Sequence, residues 1–233
     1  MFPRNAVLRL GRYEVAVRYR PARLAERLGG DWYDARLGAD GSAVVAIGDV
    51  AGHGLRAAAG MMRICCALRG LSVTGLPPHR LLSCLNRLIC SDECPERVVS
   101  AALCVLDQER PALAWAQAGH PPPMLISGGA ARFLDPPAGQ LLGADPAAAY
   151  SLASADVTTG DILLLYTDGL IERRGHDITE GLDALLLAGT AIACPTAAEA
   201  VDSVLARLAP PGDDDICLVA IKVGAQLDVT ARP

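Results

Sequence analysis

The sequence predicts an α+β fold built on antiparallel β-sheet. Segments with strand character outnumber helical ones, and most neighbouring strands are joined by hairpin-length connections. A parallel doubly wound sheet would instead place a helix between successive strands, so the antiparallel sandwich is favoured. A chain of 233 residues fits one domain better than two. We assign residues 1–12 to an N-terminal extension, 13–224 to the folded domain and 225–233 to a C-terminal tail.

The first three strands include a hairpin that brings two acidic side chains together. Residues 13–20 alternate apolar and polar, as in a half-exposed strand, and the ranges 31–37 and 42–49 are two further strands around a glycine-rich turn. If the hairpin is centred on that turn, paired residue numbers sum to about 79. Asp31 is then opposite Gly48 and beside Asp49, so two carboxylates share one end of the hairpin.

Three helices are predicted from apolar periodicity and end signals. The range 55–71 repeats as a helix does, and a second helix starts at Pro77 or Pro78, where proline is well tolerated, and runs to Cys90. A third covers 196–208, with Thr196 and Glu199 spaced as a capping box. The stretch between Asp168 and this last helix is predicted to be less regular.

The remaining strands create a second acidic pair. Strands are predicted at 98–106, 112–118, 124–127 and 132–134. The apolar range 161–167 ends at Asp168, and Asp214 lies just before the apolar range 216–223. If these two strands run antiparallel side by side, the end of one adjoins the start of the other, and Asp168 comes near Asp214.

Four aspartates at strand ends suggest a metal site if the fold brings them together. Taken singly, each could be an ordinary turn or surface residue. As a group they would repel one another and lose hydration, and no cation in the sequence is placed to neutralise all four. Hard carboxylate oxygens favour Mg²⁺ or Mn²⁺, so the pattern indicates a two-metal hydrolase.

Five ordered motifs resemble the PPM-type metal-dependent serine/threonine phosphatases, and specifically the bacterial branch typified by stage II sporulation protein E. These motifs are Gly-Gly-Asp-Trp-Tyr-Asp (29–34), Gly-Asp-Val-Ala-Gly-His-Gly-Leu-Arg-Ala-Ala (48–58), Ala-Gly-His-Pro-Pro-Pro (118–123), Gly-Asp-Ile-Leu-Leu-Leu-Tyr-Thr-Asp-Gly-Leu-Ile-Glu (160–172) and Asp-Asp-Asp-Ile (213–216). Five blocks in the order of the family are far less expected by chance than any single block.

The resemblance implies an αββα sandwich, with two antiparallel sheets packed face to face and helices outside. It also implies two Mg²⁺ or Mn²⁺ ions held by Asp31, Asp49, Asp168 and Asp214, with Asp49 bridging and the Val50 carbonyl completing one shell. An activated water would then hydrolyse phosphoserine or phosphothreonine without a phosphoenzyme. The implied substrate is a phosphorylated regulatory protein of the anti-anti-sigma factor type. We expect one of three cases: a partner protein regulates the domain, the domain regulates itself by forming a homodimer, or it is constitutively active.

Some positions depart from the family pattern. Ala51 occupies a position where animal-type relatives have histidine, and Cys217 replaces a common threonine. His53 and His120 lie in glycine- or proline-containing turns, and for both a structural role is favoured over a catalytic one. An alternative function is therefore a phosphatase-fold binding module that has lost turnover. A nucleotide-binding enzyme is disfavoured because neither a P-loop nor a Gly-x-Gly-x-x-Gly motif occurs.

Composition limits the partners and the compartment. The net charge is −5 and the pI about 5.3, and no long basic run is present, so a nucleic-acid partner is not expected. The eight cysteines form no Cys-x-x-Cys pair and are expected to be reduced. The longest apolar stretch, 184–194, is about half a bilayer span, and the first residues lack the apolar core of a signal peptide. We therefore expect a cytoplasmic protein without a membrane partner.

Overall fold

A computed structural model of the chain describes residues 3–21, 29–91, 98–110, 112–172, 175–193, 196–208 and 214–225. These residues form eleven strands, four α-helices and one short 3₁₀ turn. The strands are β1 (Asn5–Leu10), β2 (Tyr13–Arg20), β3 (Trp32–Leu37), β4 (Ala43–Val50), β5 (Val99–Leu106), β6 (Ala112–Ala118), β7 (Met124–Ser127), β8 (Ala130–Phe133), β9 (Ala153–Asp156), β10 (Ile162–Tyr166) and β11 (Ile216–Val223). The helices are α1 (Leu55–Ser72), α2 (Pro78–Ser91), α3 (Ile178–Thr190) and α4 (Ala197–Leu208), and the 3₁₀ turn is Asp168–Leu170.

The strands form two antiparallel sheets that pack face to face. One sheet has six strands in the order β1-β2-β11-β10-β7-β8, and the other has five in the order β3-β4-β5-β6-β9. A central core fills the space between them, while α3 and α4 cover the outer face of the six-stranded sheet and α1 and α2 that of the five-stranded sheet. The predicted αββα sandwich is confirmed.

Burial on both faces explains why the central strands are apolar throughout. In β10, Leu163 and Leu165 enter the core between the sheets. Their neighbours Leu164 and Tyr166 point the other way, into the layer beneath α3 and α4. Because successive side chains of a strand alternate between its faces, a strand covered on both sides needs an apolar residue at nearly every position.

The hairpin register differs by one from the predicted value. Trp32 pairs with Gly48 and Leu37 with Ala43, so paired numbers sum to 80. The Gly38 N–H donates to the Ser42 carbonyl and the Gly41 N–H to the Gly38 carbonyl, with Gly41 at φ +82°. The loop therefore has three residues, with a glycine in the left-handed conformation, and an odd loop length makes the sum of paired residue numbers even. Continued by one pair, the ladder puts Asp31 opposite Asp49.

Other element predictions had mixed outcomes. The capping box is confirmed, because the Thr196 hydroxyl accepts from the Glu199 N–H at 3.1 Å and the Glu199 carboxylate accepts from the Thr196 N–H at 3.2 Å. The prediction of a less regular stretch before α4 was wrong, since it contains α3. Asp177 caps that helix by accepting from the Thr179 N–H at 2.9 Å. Apolar residues on several sides of α3 weaken its helical periodicity.

Two strands were not predicted, and one expected helix stop cannot be described. β1 lies in the segment assigned to the N-terminal extension and pairs with β2, while β9 pairs with β6. The predicted strand 132–134 is observed as β8, which begins two residues earlier and ends one residue earlier. The expected stop at 210–212, the first acidic residue of the 213–216 motif and most of the C-terminal tail lie outside the described residues.

Six of the eight cysteines lie in the described part of the chain. The six cysteines within it are free: Cys65, Cys66, Cys84, Cys90, Cys104 and Cys217. None of its helices is both long enough and apolar enough to span a bilayer.

A buried ion-pair cluster ties α1 to β3. Asp34 is 2% exposed and binds the guanidinium groups of Arg36 and Arg69, the latter at 2.8 Å. Arg36 also donates to the Leu68 carbonyl on α1 at 3.1 Å. The cluster therefore joins the outer face of the hairpin strand to the C-terminal half of the helix.

Asp34→Asn is expected to destabilise the protein by about 3 kcal/mol, because it leaves the half-buried Arg36 without its counter-charge. The matched control is Asp202→Asn. Asp202 is 58% exposed and pairs with Arg18 at 2.8 Å, so its loss should cost about 0.5 kcal/mol. Urea unfolding of the metal-free variants measures both values, and equal losses would contradict the assigned role of the Asp34 cluster.

Candidate functional site

The core between the sheets becomes polar at one end. On β4, Ala43, Val45 and Ile47 face this core, and the two-residue period puts Asp49 on the same face. The same period extends the inward faces of the other strands to Tyr19 on β2, Ser100 on β5 and Thr167 after β10. Polar side chains from both sheets therefore meet where the apolar core ends.

The five-stranded sheet contributes Asp31, Asp49 and the Val50 carbonyl. The Val50 N–H donates to the Gly30 carbonyl at 3.1 Å, which extends the hairpin past its last ladder pair. A Cβ on Gly30 would lie 2.5 Å from Asp49 Oδ1 and even closer to the Val50 carbonyl oxygen. Both oxygens thus lie on the same side of Gly30, and any larger residue there would collide with them.

The six-stranded sheet contributes Asp168 and Asp214. β10 and β11 are antiparallel neighbours with Tyr166 opposite Leu218, so the end of β10 adjoins the start of β11 as predicted. Gly169 packs against the main chain of Asp215, and a Cβ on it would lie 3.4 Å from Asp214 Cβ. The negative charge of Asp214 acts directly on Asp168.

Thr167 connects the two halves. Its fully buried hydroxyl donates to Asp31 Oδ2 at 2.7 Å and accepts from the Cys217 N–H at 2.9 Å. Sequence reasoning missed this residue, although it directly precedes Asp168. The cysteine at position 217 does not leave Asp31 without a hydroxyl partner, because Thr167 supplies one. The Cys217 thiol packs in the core instead.

Asp215 is a second residue that sequence reasoning missed. It is 7% exposed, and its carboxylate accepts a hydrogen bond from the Tyr19 hydroxyl. A Cβ on Gly29 would overlap the Asp215 carboxylate and come within 2.7 Å of the Tyr19 oxygen. The run of three aspartates at 213–215 could have indicated it, but only Asp214 was predicted to be a site residue.

Burial and mutual repulsion raise the pKa of the site carboxyls. Burial, followed by the charge of Asp49, holds the pKa of Asp31 well above its usual range, and the Thr167 hydrogen bond opposes this only in part. Burial and the charges of Asp168 and Asp214 raise the pKa of Asp49 to about 7. The pKa of Asp168 is raised by burial and then by Glu172. Among the described residues, the charged neighbours with the largest effect on these three groups are carboxylates.

This donor set fits hard divalent cations. Carboxylate and carbonyl oxygens are the ligands of Mg²⁺ and Mn²⁺, and a cation would remove the repulsion that raises these pKa values. In the described part of the chain, no three acidic, histidine or cysteine side chains are already gathered around one point. The carboxylates instead come as two neighbouring pairs, one from each sheet.

The two histidines of the motifs differ in environment. His53 is exposed in the loop before α1, next to the exposed Ala51 and Gly52. His120 is buried, and its Nδ1 lies 2.9 Å from the Ser100 hydroxyl. A structural role in a turn was expected for His120, but its side-chain contact with Ser100 was not predicted.

The metal-free protein should lose stability as the pH rises. The pKa of Asp49 in the folded state, about 7, exceeds the unfolded value of about 3.9. The native state therefore binds the extra proton, and the resulting stability is present below about pH 4 and lost as the pH passes through 7. In calorimetry with chelator from pH 5 to 8, the Tm of wild type should fall relative to that of Asp49→Asn. Both proteins retain His120, so the difference reports the Asp49 carboxyl and its effect on Asp31, and parallel curves would contradict the assigned coupling.

Comparison with known proteins agrees with this architecture. Residues 39–224 match the family described as stage II sporulation protein E (SpoIIE). Phosphoserine phosphatase RsbU of Bacillus subtilis is 29% identical over 151 residues, which cover 64% of this chain and 45% of RsbU. The chain thus spans about half the length of this curated relative.

Solved structures share the fold over nearly the whole chain. The RsbU and RsbW domains of Rv1364c from Mycobacterium tuberculosis align with a TM-score of 0.79 and 30% identity, covering 92% of this chain and 62% of that one. RsbX in complex with magnesium aligns with a TM-score of 0.72 and 16% identity, covering 94% and 100%, and supports the fold alone. Because the family match extends over well more than half of the chain, this protein belongs to the SpoIIE family of PP2C-type phosphatase domains.

Proposed function

We propose that this domain hydrolyses phosphoserine or phosphothreonine on a regulatory protein by metal-assisted attack of water. The observation that carries the proposal is the meeting of two carboxylate pairs from opposite sheets, joined by the Thr167–Asp31 hydrogen bond. Buried carboxylates with raised pKa values, whose strongest charged neighbours among the described residues are other carboxylates, suit a site that acquires its positive charge from bound ions.

Each residue has a distinct part in this proposal. Asp31, Asp49, Asp168 and Asp214 would hold two Mg²⁺ or Mn²⁺ ions, with the Val50 carbonyl as a further ligand. Such ions supply an activated water and neutralise the charge of the phosphoryl group during transfer. Thr167 orients the Asp31 carboxylate, and the Tyr19–Asp215 hydrogen bond holds a fifth carboxylate beside the first four.

The proposed substrate is a phosphorylated protein of the anti-anti-sigma factor type, in the cytoplasm. Support comes from RsbU, which is named a phosphoserine phosphatase, and from the mycobacterial structure, which has RsbU and RsbW domains in one chain. Control by a partner protein or by homodimer formation fits the position of α1, which begins five residues after Val50 and is tied to β3 through Asp34.

A catalytically weak or inactive binding module is the second candidate. The replacement of the usual threonine by Cys217 favours it. The retention of all four predicted aspartates and the hydroxyl supplied by Thr167 favour the enzyme. Turnover of a phosphorylated substrate separates the two.

Activity on p-nitrophenyl phosphate should require Mn²⁺ or Mg²⁺, because every proposed ligand is a hard oxygen. EDTA should abolish it, excess Mn²⁺ should restore it, and Zn²⁺ should substitute poorly. Hydrolysis that survives exhaustive chelation would exclude the proposed mechanism.

Asp49→Asn and Asp168→Asn should each reduce hydrolysis to background. Their metal-free forms should melt no lower than metal-free wild type, since removing one charge from a repelling cluster relieves repulsion while it weakens the metal site. Asp202→Asn is the matched control at an exposed aspartate and should keep normal turnover. Steady-state kinetics and thermal melts test these expectations, and near-normal turnover of Asp49→Asn or Asp168→Asn would show that the residue is structural only.

A further inference from the structure

His120 lies where the chain crosses from one sheet to the other. β6 belongs to the five-stranded sheet and β7 to the six-stranded sheet, and residues 119–123 connect them. His120 is 5% exposed, and its main-chain carbonyl accepts from the Gln117 side chain at 2.9 Å. The imidazole is therefore fixed in the interior at the polar end of the core.

One ring nitrogen contacts the strand next to Asp49. Nδ1 lies 2.9 Å from the Ser100 hydroxyl, and Ser100 is the direct ladder partner of Asp49 in the β4–β5 pairing. His120 thus touches the inward-facing residue beside a proposed metal ligand on the five-stranded sheet.

The other side of the ring is directed to the opposite sheet. Nε2 is buried without a hydrogen-bond partner of regular geometry among the described residues, and the imidazole interacts with the main chain of Tyr166. Tyr166 ends β10, two residues before Asp168. The imidazole thus spans the gap between the strand beside Asp49 and the strand that leads to Asp168.

A neutral imidazole suits these two neighbours. Burial lowers the pKa of His120 to about 3, so the ring is uncharged at neutral pH. One nitrogen then donates and the other accepts. With the proton on Nε2, the ring would accept a hydrogen bond from the Ser100 hydroxyl at Nδ1 and could donate towards the Tyr166 carbonyl.

We propose that His120 is a positioning residue that sets the spacing between the Asp31–Asp49 and Asp168–Asp214 halves of the cation site. The inference rests on the proposed function, because it assumes that these carboxylates bind the ions. Both ring nitrogens face protein groups within the interior, so His120 acts through Ser100 and Tyr166 and has no part in proton transfer to the substrate. Loss of residues that orient metal ligands typically weakens metal binding by 10- to 100-fold.

The test is Mn²⁺ binding to the whole chain, measured by isothermal titration calorimetry and by the EPR signal of free Mn²⁺. His120→Phe keeps a ring of similar size without its nitrogens and should raise the Kd for Mn²⁺ by about 10-fold or more. Ser100→Ala should act in the same direction. The double variant should bind no more weakly than His120→Phe, since the two residues act through one contact.

The control for general loss of stability is Leu113→Val. Leu113 lies in the same core at the far end of β6, paired with Leu106 and Ala155. It should lower the Tm and leave the Kd for Mn²⁺ unchanged. If His120→Phe does not fold, His120→Gln, whose amide can reach towards Tyr166, takes its place and should give a smaller increase in Kd.

Asp49→Asn separates failure of this inference from failure of the proposed function. If Asp49→Asn weakens Mn²⁺ binding while the His120 variant and Ser100→Ala stay within twofold of wild type, His120 is only a packing residue and the inference is overturned. If Asp49→Asn also leaves binding unchanged, the carboxylates do not form the metal site and the proposed function fails first.

Discussion

The hydrogen bond from Thr167 to Asp31 is the contact on which the site depends. The hydroxyl is at the end of a strand of the six-stranded sheet, and the carboxylate is at the start of a strand of the five-stranded sheet. The Thr167 hydroxyl oxygen also accepts a hydrogen bond from the Cys217 N–H. A threonine has few χ1 rotamers, and with both partners engaged the hydroxyl has little freedom. The relative position of the sheets is thus transmitted to the first proposed metal ligand through one buried atom.

Two aspartates on one hairpin show how the fold divides stability from function. Asp34 faces outward beneath α1 and is neutralised by Arg36 and Arg69. Asp31, three residues earlier, ends in the polar end of the core, where the acting charges are other carboxylates. The outward face of this hairpin strand therefore carries a neutralised carboxylate, and its inward face carries a carboxylate that is repelled by its neighbours. The Asp34 ion pairs stabilise the fold, and the repulsion around Asp31 is one that a bound cation can relieve.

Glycines set how closely the carboxylate-bearing segments approach. Gly29 admits the Asp215–Tyr19 pair, Gly30 admits Asp49 and the Val50 carbonyl, and Gly169 admits the main chain of Asp215. At each of these positions a β-carbon would fall on an atom of the site. The motif glycines are thus needed for space around the site carboxylates, which is a stricter requirement than turn formation.

The sequence alone determined most local parts of this protein: nine of the eleven strands, three of the four helices, and both carboxylate pairs. Strand periodicity, capping residues and turn length act over a few residues, so these features can be inferred without a structure. The exact hairpin register needed the left-handed conformation of Gly41. Tertiary structure decided the Thr167–Asp31, Tyr19–Asp215 and Ser100–His120 contacts. The first joins the two sheets across 136 residues, the second joins the neighbouring strands β2 and β11 of one sheet, and the third depends on how the crossover after β6 turns back into the core. No local propensity specifies such contacts, because they exist only once distant strands have paired and the two sheets have packed in one relative position.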